Sequence, residues 1–418
     1  MGDAGADADP RAGAWRRFRA SWSVRLGLGL LAGMVLIGVY APFLASETAL
    51  LWRDERGWSL PILADLFNQR RYPKIYDYLF NLMAFTLPAT LAIGWWRGWG
   101  WDRRIALSLL APVAIGVVAL LPLVPRAGGI GDDGQVQTRW TGLWAKSPLE
   151  QRTLRTWHAD PTRARTAVFT PLGHDWRTAY AGLTFAPPGT ANPATGRQLW
   201  LGSDGSGRDV AAMLAHGARI SLTIGLFATA LSMLIGILIG AASGYLGGRV
   251  DLLLQRLVEV MMCFPVLILI IVVVAALGRD IFVIMTVIGL TGWADTARLV
   301  RGEVLAQSAR DYVLAGQSLG LGRWRIMLRH ILPNCMTPIL ITAVFGVAGG
   351  VLGEAGLSFI GLGDASTPSW GVLLNQGRES LHYAWLVWTP GLAVFLLITA
   401  LYQVGNGLRG VYDPKGTA

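Results

Sequence analysis

The chain contains few charged residues and very few cysteines for its length. Charged residues make up 15% of its 418 residues while 53% are hydrophobic, and the mean hydropathy is +0.45. A soluble globular protein seldom has this composition. The two cysteines, Cys263 and Cys335, form no Cys-x-x-Cys pair and lack metal-ligand spacing, so we expect both to pack as small apolar side chains. These deficits indicate an integral membrane protein.

Signatures of catalysis are also scarce. The histidines are dispersed, without the spacing of a metal site or a catalytic triad, which argues against a membrane enzyme. The chain has no Gly-Lys-Ser/Thr phosphate loop and therefore no evident means of hydrolysing ATP. We predict that it is not an enzyme and binds no metal or cofactor itself, so a partner must supply any ATP-derived energy. The five histidines are His158, His174, His216, His330 and His382.

Long apolar runs predict the fold. About eight segments reach the roughly 20 residues that a helix needs to cross a bilayer. The second is the weakest, because Asn81 and Pro88 interrupt it, and it could instead be re-entrant or interfacial. We therefore predict an all-α integral membrane protein, a polytopic helical bundle. The segments are residues 24–45, 79–96, 104–124, 219–245, 257–278, 281–300, 335–360 and 385–407.

Basic residues predict the orientation, because cytoplasmic loops keep an excess of Lys and Arg near span ends. With the N-terminus inside, every basic loop falls inside if residues 79–124 cross twice, and both termini are cytoplasmic. The formal net charge of +10 is then explained by the basic residues of cytoplasmic loops. Scattered basic residues argue against nucleic-acid binding, which requires one basic stripe. The arginines used are Arg11, Arg16, Arg17, Arg19, Arg25, Arg97, Arg103, Arg104, Arg249, Arg256, Arg301, Arg310, Arg323, Arg325 and Arg329.

The chain divides into an insert and a helical core. The first span has too long an apolar run, and no clear cleavage site, for a signal peptide, so we interpret it as a retained anchor. Residues 126–200 show no sustained helical period and predict an irregular external segment. The predicted parts are a cytoplasmic tail 1–23, an anchor 24–46, an insert 47–200 with two extra spans in 79–124, and a core 201–413 with five spans and a cytoplasmic loop 301–334.

The loop between two long apolar runs contains a polar, basic segment of helical pattern, from Asp311 to Asn334. Small residues there let another protein approach the backbone, and Gly320 with Gly322 should divide the segment into two short helices. Pro333 should end the second helix. We predict a cytoplasmic docking element. Its candidate contact residues are Arg310, Asp311, Tyr312, Ala315, Gly316, Gly320, Arg325, Arg329, His330 and Pro333.

A glycine-rich segment, Leu201 to Ser221, precedes the fourth apolar run. Its glycines with Asp and Ser predict tight turns followed by a helix cap. A calcium loop is less favoured, since acidic oxygens are few and no distal Glu completes the pattern, and a phosphate loop would need Gly-Lys-Ser/Thr. The candidate residues of this external motif are Gly202, Asp204, Gly207, Arg208 and Asp209.

Glu354 is an ionisable residue near the outer end of a span, where burial is costly and function is the first hypothesis. It could contact substrate, or it could be hydrogen-bonded within the bundle. Glycines on the same helix, among them Gly350 and Gly353, either line a translocation path with Glu354 or allow tight helix packing. We interpret Asp295 as a local ion pair with Arg298.

Four ordered motifs resemble the permease subunits of bacterial ABC importers, in particular the C-type subunit of dipeptide and oligopeptide systems. The motifs are the Leu201–Ser221 segment, the loop with Leu314, Ala315, Gly316, Gly320, Leu332 and Pro333, the stretch Glu354–Gly363 followed by Pro368–Gly371, and the C-terminal stretch from Pro390 to Pro414. Leu314 and Gly316 depart from the Glu and the second Ala of that family's loop, and Ser203 replaces its usual Thr.

This resemblance, continuous over residues 201–415, implies a type I permease core in the bacterial inner membrane. It further implies a peptide importer subunit that forms half of the translocation path. The expected partners are two ATPase subunits that bind ATP and magnesium, a second permease in a heterodimer, an external solute-binding protein and lipid. The alternative, an ion-coupled secondary transporter, would need mid-membrane ionisable groups, for which Glu354 is almost the only candidate.

Overall fold

The computed structural model describes residue 18 and residues 21–55, 57–120, 124–130, 136–141 and 151–412. The predicted tail 1–23 therefore lies almost entirely outside the described residues. The chain forms two compact units, the first comprising residues 1–34, 220–379 and 390–418 and the second residues 35–219 and 380–389. The helices are α1 Trp22–Leu44, α2 Pro61–Leu66, α3 Ile75–Trp96, α4 Trp101–Leu120, α5 Leu154–Ala159, α6 Val210–Leu246, α7 Gly248–Cys263, α8 Val266–Leu277, α9 Ile281–Ser308, α10 Asp311–Ser318, α11 Arg323–Ile326, α12 Leu332–Phe359, α13 Trp370–Glu379 and α14 Trp385–Tyr412.

The expected all-α membrane protein is confirmed. Among the described residues, six helices are long and apolar enough to cross a membrane, or seven if one bent pair counts as a span. The predicted span 104–124 falls on α4, which is not among these helices, since only its part Ala106–Gly116 is counted, as a shorter apolar helix; residues 121–123 lie outside the described part. The weak second segment forms one continuous helix, α3, through Pro88.

One predicted span, residues 257–278, is not a single helix. It is divided between α7 and α8, which are bent by 80° at the break. Pro265 has no N–H and disfavours helical geometry at the preceding residue, and Phe264 is accordingly extended, with φ −79° and ψ 133°. With 12 residues, α8 is about 18 Å long, too short to cross a bilayer core alone.

In the first unit, three glycines of α6 pack against α9. A Cβ on Gly236 would lie 2.5 Å from Thr296 Cβ, and one on Gly244 would lie 2.8 Å from the Arg301 carbonyl oxygen. Gly240 lies between them and would collide with the Ala297 carbonyl oxygen if it carried a Cβ. Because glycines four residues apart share one helix face, this spacing brings the two helix backbones together.

The second unit contains the short strands of the insert. They are β1 Leu51–Asp54, β2 Gly57–Ser59, β3 Val124–Ile130, β4 Val136–Thr141, β5 Thr166–Val168, β6 Thr190–Ala191 and β7 Gln198–Leu199. An antiparallel sheet has the order β2-β1-β5, while β3-β4 and β6-β7 form separate pairs. Segments this short give no legible period in the sequence, so the strands were not predicted.

A hydrogen-bond group in the second unit is centred on the buried carboxylate of Glu47. Tyr180 donates to the Glu47 carboxylate over 2.5 Å, and Arg155 pairs with the same oxygen at 3.1 Å. Burial and the Glu47 carboxylate raise the pKa of Tyr180 well above its usual range, so the hydroxyl stays a donor.

The two cysteines differ in their surroundings. Cys335 is buried in the first unit, as expected, whereas Cys263 is exposed at the end of α7. Apolar packing therefore describes Cys335 alone.

Candidate functional site

The docking segment consists of the two short helices expected from its glycines, α10 and α11. Gly320 has a positive φ of 73°, which glycine adopts without strain. Its N–H donates to the Gln317 carbonyl, and the Leu321 N–H donates to the Gly316 carbonyl, which is the Schellman pattern of a helix end. A Cβ at Gly320 would meet nothing within 4 Å, so this corner is open to a partner.

Pro333 does not end the second helix. A π-helical turn, Met327–Ile331, follows α11 and leads into α12, where Pro333 occupies the first turn. Proline has no N–H to donate into the preceding turn, and the π-helical turn lies just before it. The docking segment is thus continuous with a long helix, Arg323–Phe359.

The predicted contact residues of this loop are mostly exposed. Ile326 and Met327, two apolar residues of the same segment, are buried in the first unit. The exposed contact residues are Arg310, Asp311, Tyr312, Ala315, Gly320, Arg325, Arg329, His330 and Pro333, and Gly316 is half-buried.

The glycine-rich external motif forms a closed turn around Asp204. This buried carboxylate accepts hydrogen bonds from the backbone N–H groups of Ser206 and Arg208, at 2.9 and 2.8 Å. The Arg208 guanidinium pairs with its other oxygen at 2.6 Å. Gly207, with φ of 76°, passes so near the Tyr180 carbonyl that a Cβ would lie 2.5 Å from its oxygen.

Asp209 caps the helix that follows the motif. One carboxylate oxygen accepts from the Ala211 and Ala212 backbone N–H groups at the start of α6, at 2.7 and 3.3 Å. The other lies 2.7 Å from His174 Nδ1, and His174 Nε2 lies 2.9 Å from Thr195 Oγ1. The arrangement fits the predicted turn and cap, whereas no local spacing indicates that His174 is a partner of Asp209.

Gly202 takes part in the same turn. Its φ is 77°, and a Cβ there would lie 2.6 Å from the Ala186 carbonyl oxygen. Together with the contacts described above, both carboxylate oxygens of Asp204 and both of Asp209 lie within hydrogen-bond distance of groups of the protein.

Glu354 is buried with partners of its own. Its Oε1 accepts hydrogen bonds from Ser358 at 2.6 Å and from Ser369 at 2.5 Å. This matches the interpretation of Glu354 as hydrogen-bonded within the bundle. Gly350 and Gly353 instead line a cavity of about 390 Å³ between α6, α8, α9 and α12, of which Glu354 is not a lining residue.

Two ion-pair groups were not found from the sequence. Arg219, fully buried on α6, donates to Asn81 Oδ1 at 2.8 Å and pairs with Asp77 at 3.4 Å. Arg301 on α9 makes a bidentate pair with Asp251, at 2.6 and 2.7 Å. Partners so far apart in sequence give no local spacing that could reveal them. Within the ranges that the structure covers, no cluster of three His, Cys, Asp or Glu residues could hold a metal.

The expected ion pair of Asp295 with Arg298 is absent. The Arg298 guanidinium instead contacts the sulfur of Met262, and within the described part of the chain Asp295 has no hydrogen bond or ion pair.

The apolar helices, with a cavity between those of the first unit, indicate a multi-pass membrane protein. Residues 233–415 match the family described as the binding-protein-dependent transport system inner membrane component. The chain is 33% identical over 299 residues to the oligopeptide transport system permease protein OppC of Bacillus subtilis, which covers 70% of this chain and 96% of that one. The chain therefore belongs to this family of transport permeases, which are not enzymes.

Other relatives align with a smaller share of this chain. The di/tripeptide transport system permease protein DppC of Pseudomonas aeruginosa is 36% identical over 253 residues, which span 60% of this chain and 83% of that protein. A solved structure of the MetNI methionine ABC transporter covers 48% of this chain and 96% of its own, with 16% identity and a TM-score of 0.42.

Proposed function

We propose that this chain is a permease subunit of an ATP-driven ABC importer for dipeptides, oligopeptides or related small ligands. The names of its relatives support the substrate class, since OppC is an oligopeptide permease and DppC a di/tripeptide permease. One side of the docking loop is buried against the bundle and the other side is exposed. Such a loop can couple the spans to an ATPase, and this observation carries the proposal.

The inner side of the loop is fixed to the bundle. Val313 of α10 and Ile326 of α11 are fully buried and pack in one cluster with Val300 and Val304 of α9. Burial of side chains of this size contributes about 1.5–3 kcal/mol each. The loop is therefore held against α9, and a force on it reaches the spans.

The outer side of the loop presents apolar side chains among basic ones. Leu319 is 79% exposed and Trp324 62% exposed, although both lie in a segment rich in arginine. Exposed apolar side chains rimmed by charge are typical of a protein interface. A short helix with apolar side chains can lie in a groove of a partner protein. We propose that this partner is an ATPase subunit.

The remaining subunits follow from this assignment. The complex contains two ATPase subunits, which bind ATP and magnesium, a second permease of the same family and an external solute-binding protein. Nucleotide-driven closure of the ATPases moves the loop and changes access to the path between the permeases. Both termini and the docking loop then lie in the cytoplasm, as the arginine distribution favours.

The test is affinity purification of the chain from its native membrane, with mass spectrometry of stoichiometric partners. We expect an ATPase and a second permease to co-purify. Leu319→Glu should abolish ATPase recovery, because a charge would enter an apolar contact. Leu381→Glu is the matched control, since Leu381 is 76% exposed but lies outside the loop.

Gly320→Trp tests the open corner of the loop. A Cβ at this position would meet nothing within 4 Å, and a bulky side chain there would block a close partner, so the chain should remain in the membrane without its ATPase. Recovery of the ATPase at the normal level with both Leu319→Glu and Gly320→Trp would refute docking through this loop. Purification of the chain alone, monodisperse and stable, would favour a self-sufficient transporter.

A further inference from the structure

The turn between α3 and α4 is rich in tryptophan and arginine. The ten residues 95–104, WWRGWGWDRR, contain four of the 18 tryptophans of the chain, three arginines and a single acidic residue. The helix α3 is long and apolar enough to cross a membrane, and the turn follows its last residue, Trp96. Trp and Arg at the end of a span are typical of the boundary between hydrocarbon and headgroups. The turn therefore lies where the lipid headgroups begin.

The backbone of this turn is fixed by hydrogen bonds. Gly98 has a positive φ of 64°, and its N–H donates to the Trp95 carbonyl oxygen at 3.2 Å. The Trp99 N–H donates to the Gly94 carbonyl oxygen at 2.9 Å. These two bonds form the Schellman motif that ends α3. The side chains of the turn are thus presented by a defined backbone.

One of the three arginines, Arg104, belongs to the helix pair itself. A Cβ on Gly94 would lie 2.7 Å from Arg104 Cγ, so this side chain lies across α3. Its Nε donates to the Trp99 carbonyl oxygen at 2.8 Å. Further from the turn, Thr90 Oγ1 and Ser108 Oγ lie 2.7 Å apart. These contacts hold α3 and α4 side by side, so the ends of both helices meet the headgroups together.

The exposed side chains change in chemistry towards the turn. Ile93 is 45% exposed, and the two tryptophans that follow it, Trp95 and Trp96, are 76% and 81% exposed. Arg97 and Arg103, beyond the tryptophans, are exposed as well. The rise from Ile93 to Arg97 is about 6 Å along the helix axis. Acyl chain, glycerol and phosphate follow one another in the same order along a phospholipid, so the surface matches this ligand from its apolar to its charged end.

The guanidinium groups determine which phospholipid the turn prefers. Arg97 Cζ lies 5.6 Å from the centre of the Trp99 ring, which keeps this guanidinium beside an indole. Guanidinium groups form paired hydrogen bonds with phosphate oxygens. A zwitterionic headgroup also carries an ammonium group, which the arginines repel, whereas phosphatidylglycerol carries none. The turn is therefore complementary to an anionic phospholipid.

We propose that the turn between α3 and α4 is a binding site for an anionic phospholipid. Arg97 and Arg103 bind the phosphate, and the rings of Trp95 and Trp96 lie against the glycerol and the first acyl carbons. This site differs from general contact with the bilayer because it distinguishes lipids by the charge of their headgroup. It does not depend on which substrate the transporter carries.

The test uses the complete transporter reconstituted in bilayers of phosphatidylcholine and phosphatidylglycerol. One of the two lipids carries bromine near the glycerol end of its acyl chain, where it quenches the fluorescence of nearby indoles. Subtracting the signal of the variant with Trp95→Phe and Trp96→Phe isolates the two rings of the turn. Quenching over the mole fraction of each brominated lipid gives the affinity of the site for phosphatidylglycerol relative to phosphatidylcholine.

We expect phosphatidylglycerol to bind about thirtyfold more tightly, because each basic residue near an anionic lipid contributes about a factor of five. Arg97→Gln with Arg103→Gln should remove most of this preference, whereas Arg97→Lys with Arg103→Lys should keep most of it. Arg249→Gln with Arg323→Gln is the matched control. It removes two exposed arginines elsewhere in the chain and should leave the preference unchanged.

Equal affinity for both lipids in the unmodified transporter would overturn the proposal, and so would a preference that survives Arg97→Gln with Arg103→Gln. Absence of quenching by either lipid would also overturn it, because the two rings would then face protein. If the double glutamine variant does not assemble, Arg103→Gln alone decides. A loss of about fivefold supports the site, and an unchanged preference overturns it. Since peptide uptake is not measured, these outcomes are independent of the proposed function.

Discussion

Replacing Arg219 should destabilise the second unit more than any other single change considered for it. The side chain is fully buried and donates from Nε to the Gly38 carbonyl at 2.6 Å and from Nη2 to the Val39 carbonyl at 3.1 Å. It also donates to Asn81 and pairs with Asp77. Arg219→Met keeps most of the side-chain volume but removes every one of these donors.

The expected cost follows from the unpaired acceptors. Removing one member of a buried ion pair costs about 3–5 kcal/mol, mostly because the other charge stays buried. Arg219→Met with Asp77→Leu should therefore cost less than Arg219→Met alone, since no charge remains. Arg301→Met is the contrasting variant. Its pair with Asp251 is 30% and 23% exposed, so water can replace it and the loss should be roughly 1 kcal/mol.

The assay is reversible unfolding in mixed micelles by titration with SDS, which yields the free energy of unfolding of each variant. The reasoning would be refuted if Arg219→Met cost no more than Arg301→Met. It would also be refuted if the double variant were no more stable than Arg219→Met alone.

Three smaller perturbations test other contacts. Gly240→Ala should force α6 away from the Ala297 carbonyl and cost about 1–3 kcal/mol by overpacking, seen as a lower melting temperature in detergent; an unchanged temperature would contradict the close approach. Glu354→Ala should cost about 1–3 kcal/mol because two buried serine hydroxyls lose their acceptor, whereas Glu354→Gln should be nearly neutral in the same assay. Tyr180→Phe should cost about 1–3 kcal/mol by leaving Glu47 without its phenolic donor, and equal protease resistance of the variant and the parent would argue against this.

The sequence predicted the spans well because hydrocarbon thickness fixes their length. It failed at residues 257–278, where the apolar run continues across Pro265 but the helix does not. Hydropathy measures only how apolar the side chains are. The bend depends on the backbone, because Pro265 has no N–H to donate within a helix. The local turn around Asp204 was also predictable, since its donors lie within four residues.

Contacts between distant segments could not be predicted from sequence patterns. The Arg219–Asp77 pair joins residues 142 positions apart, and neither residue shows a local sign of the other. The glycine face of α6 is different, because Gly236, Gly240 and Gly244 stand four residues apart and could have been recognised. The sequence left two interpretations of Glu354 open, a substrate contact or a hydrogen-bonded group within the bundle, and its two serine donors favour the second.

The π-helical turn between α11 and α12 sets the direction in which the docking loop faces. Such a turn fits about one residue more than an α-helical turn, so it rotates everything before it by about 100° relative to an uninterrupted helix. This angular offset helps to aim Ile326 inward and Trp324 outward. The number of residues in the turn Met327–Ile331 therefore sets the direction in which the exposed face of the docking loop points. A one-residue deletion there would rotate that face without changing its residues.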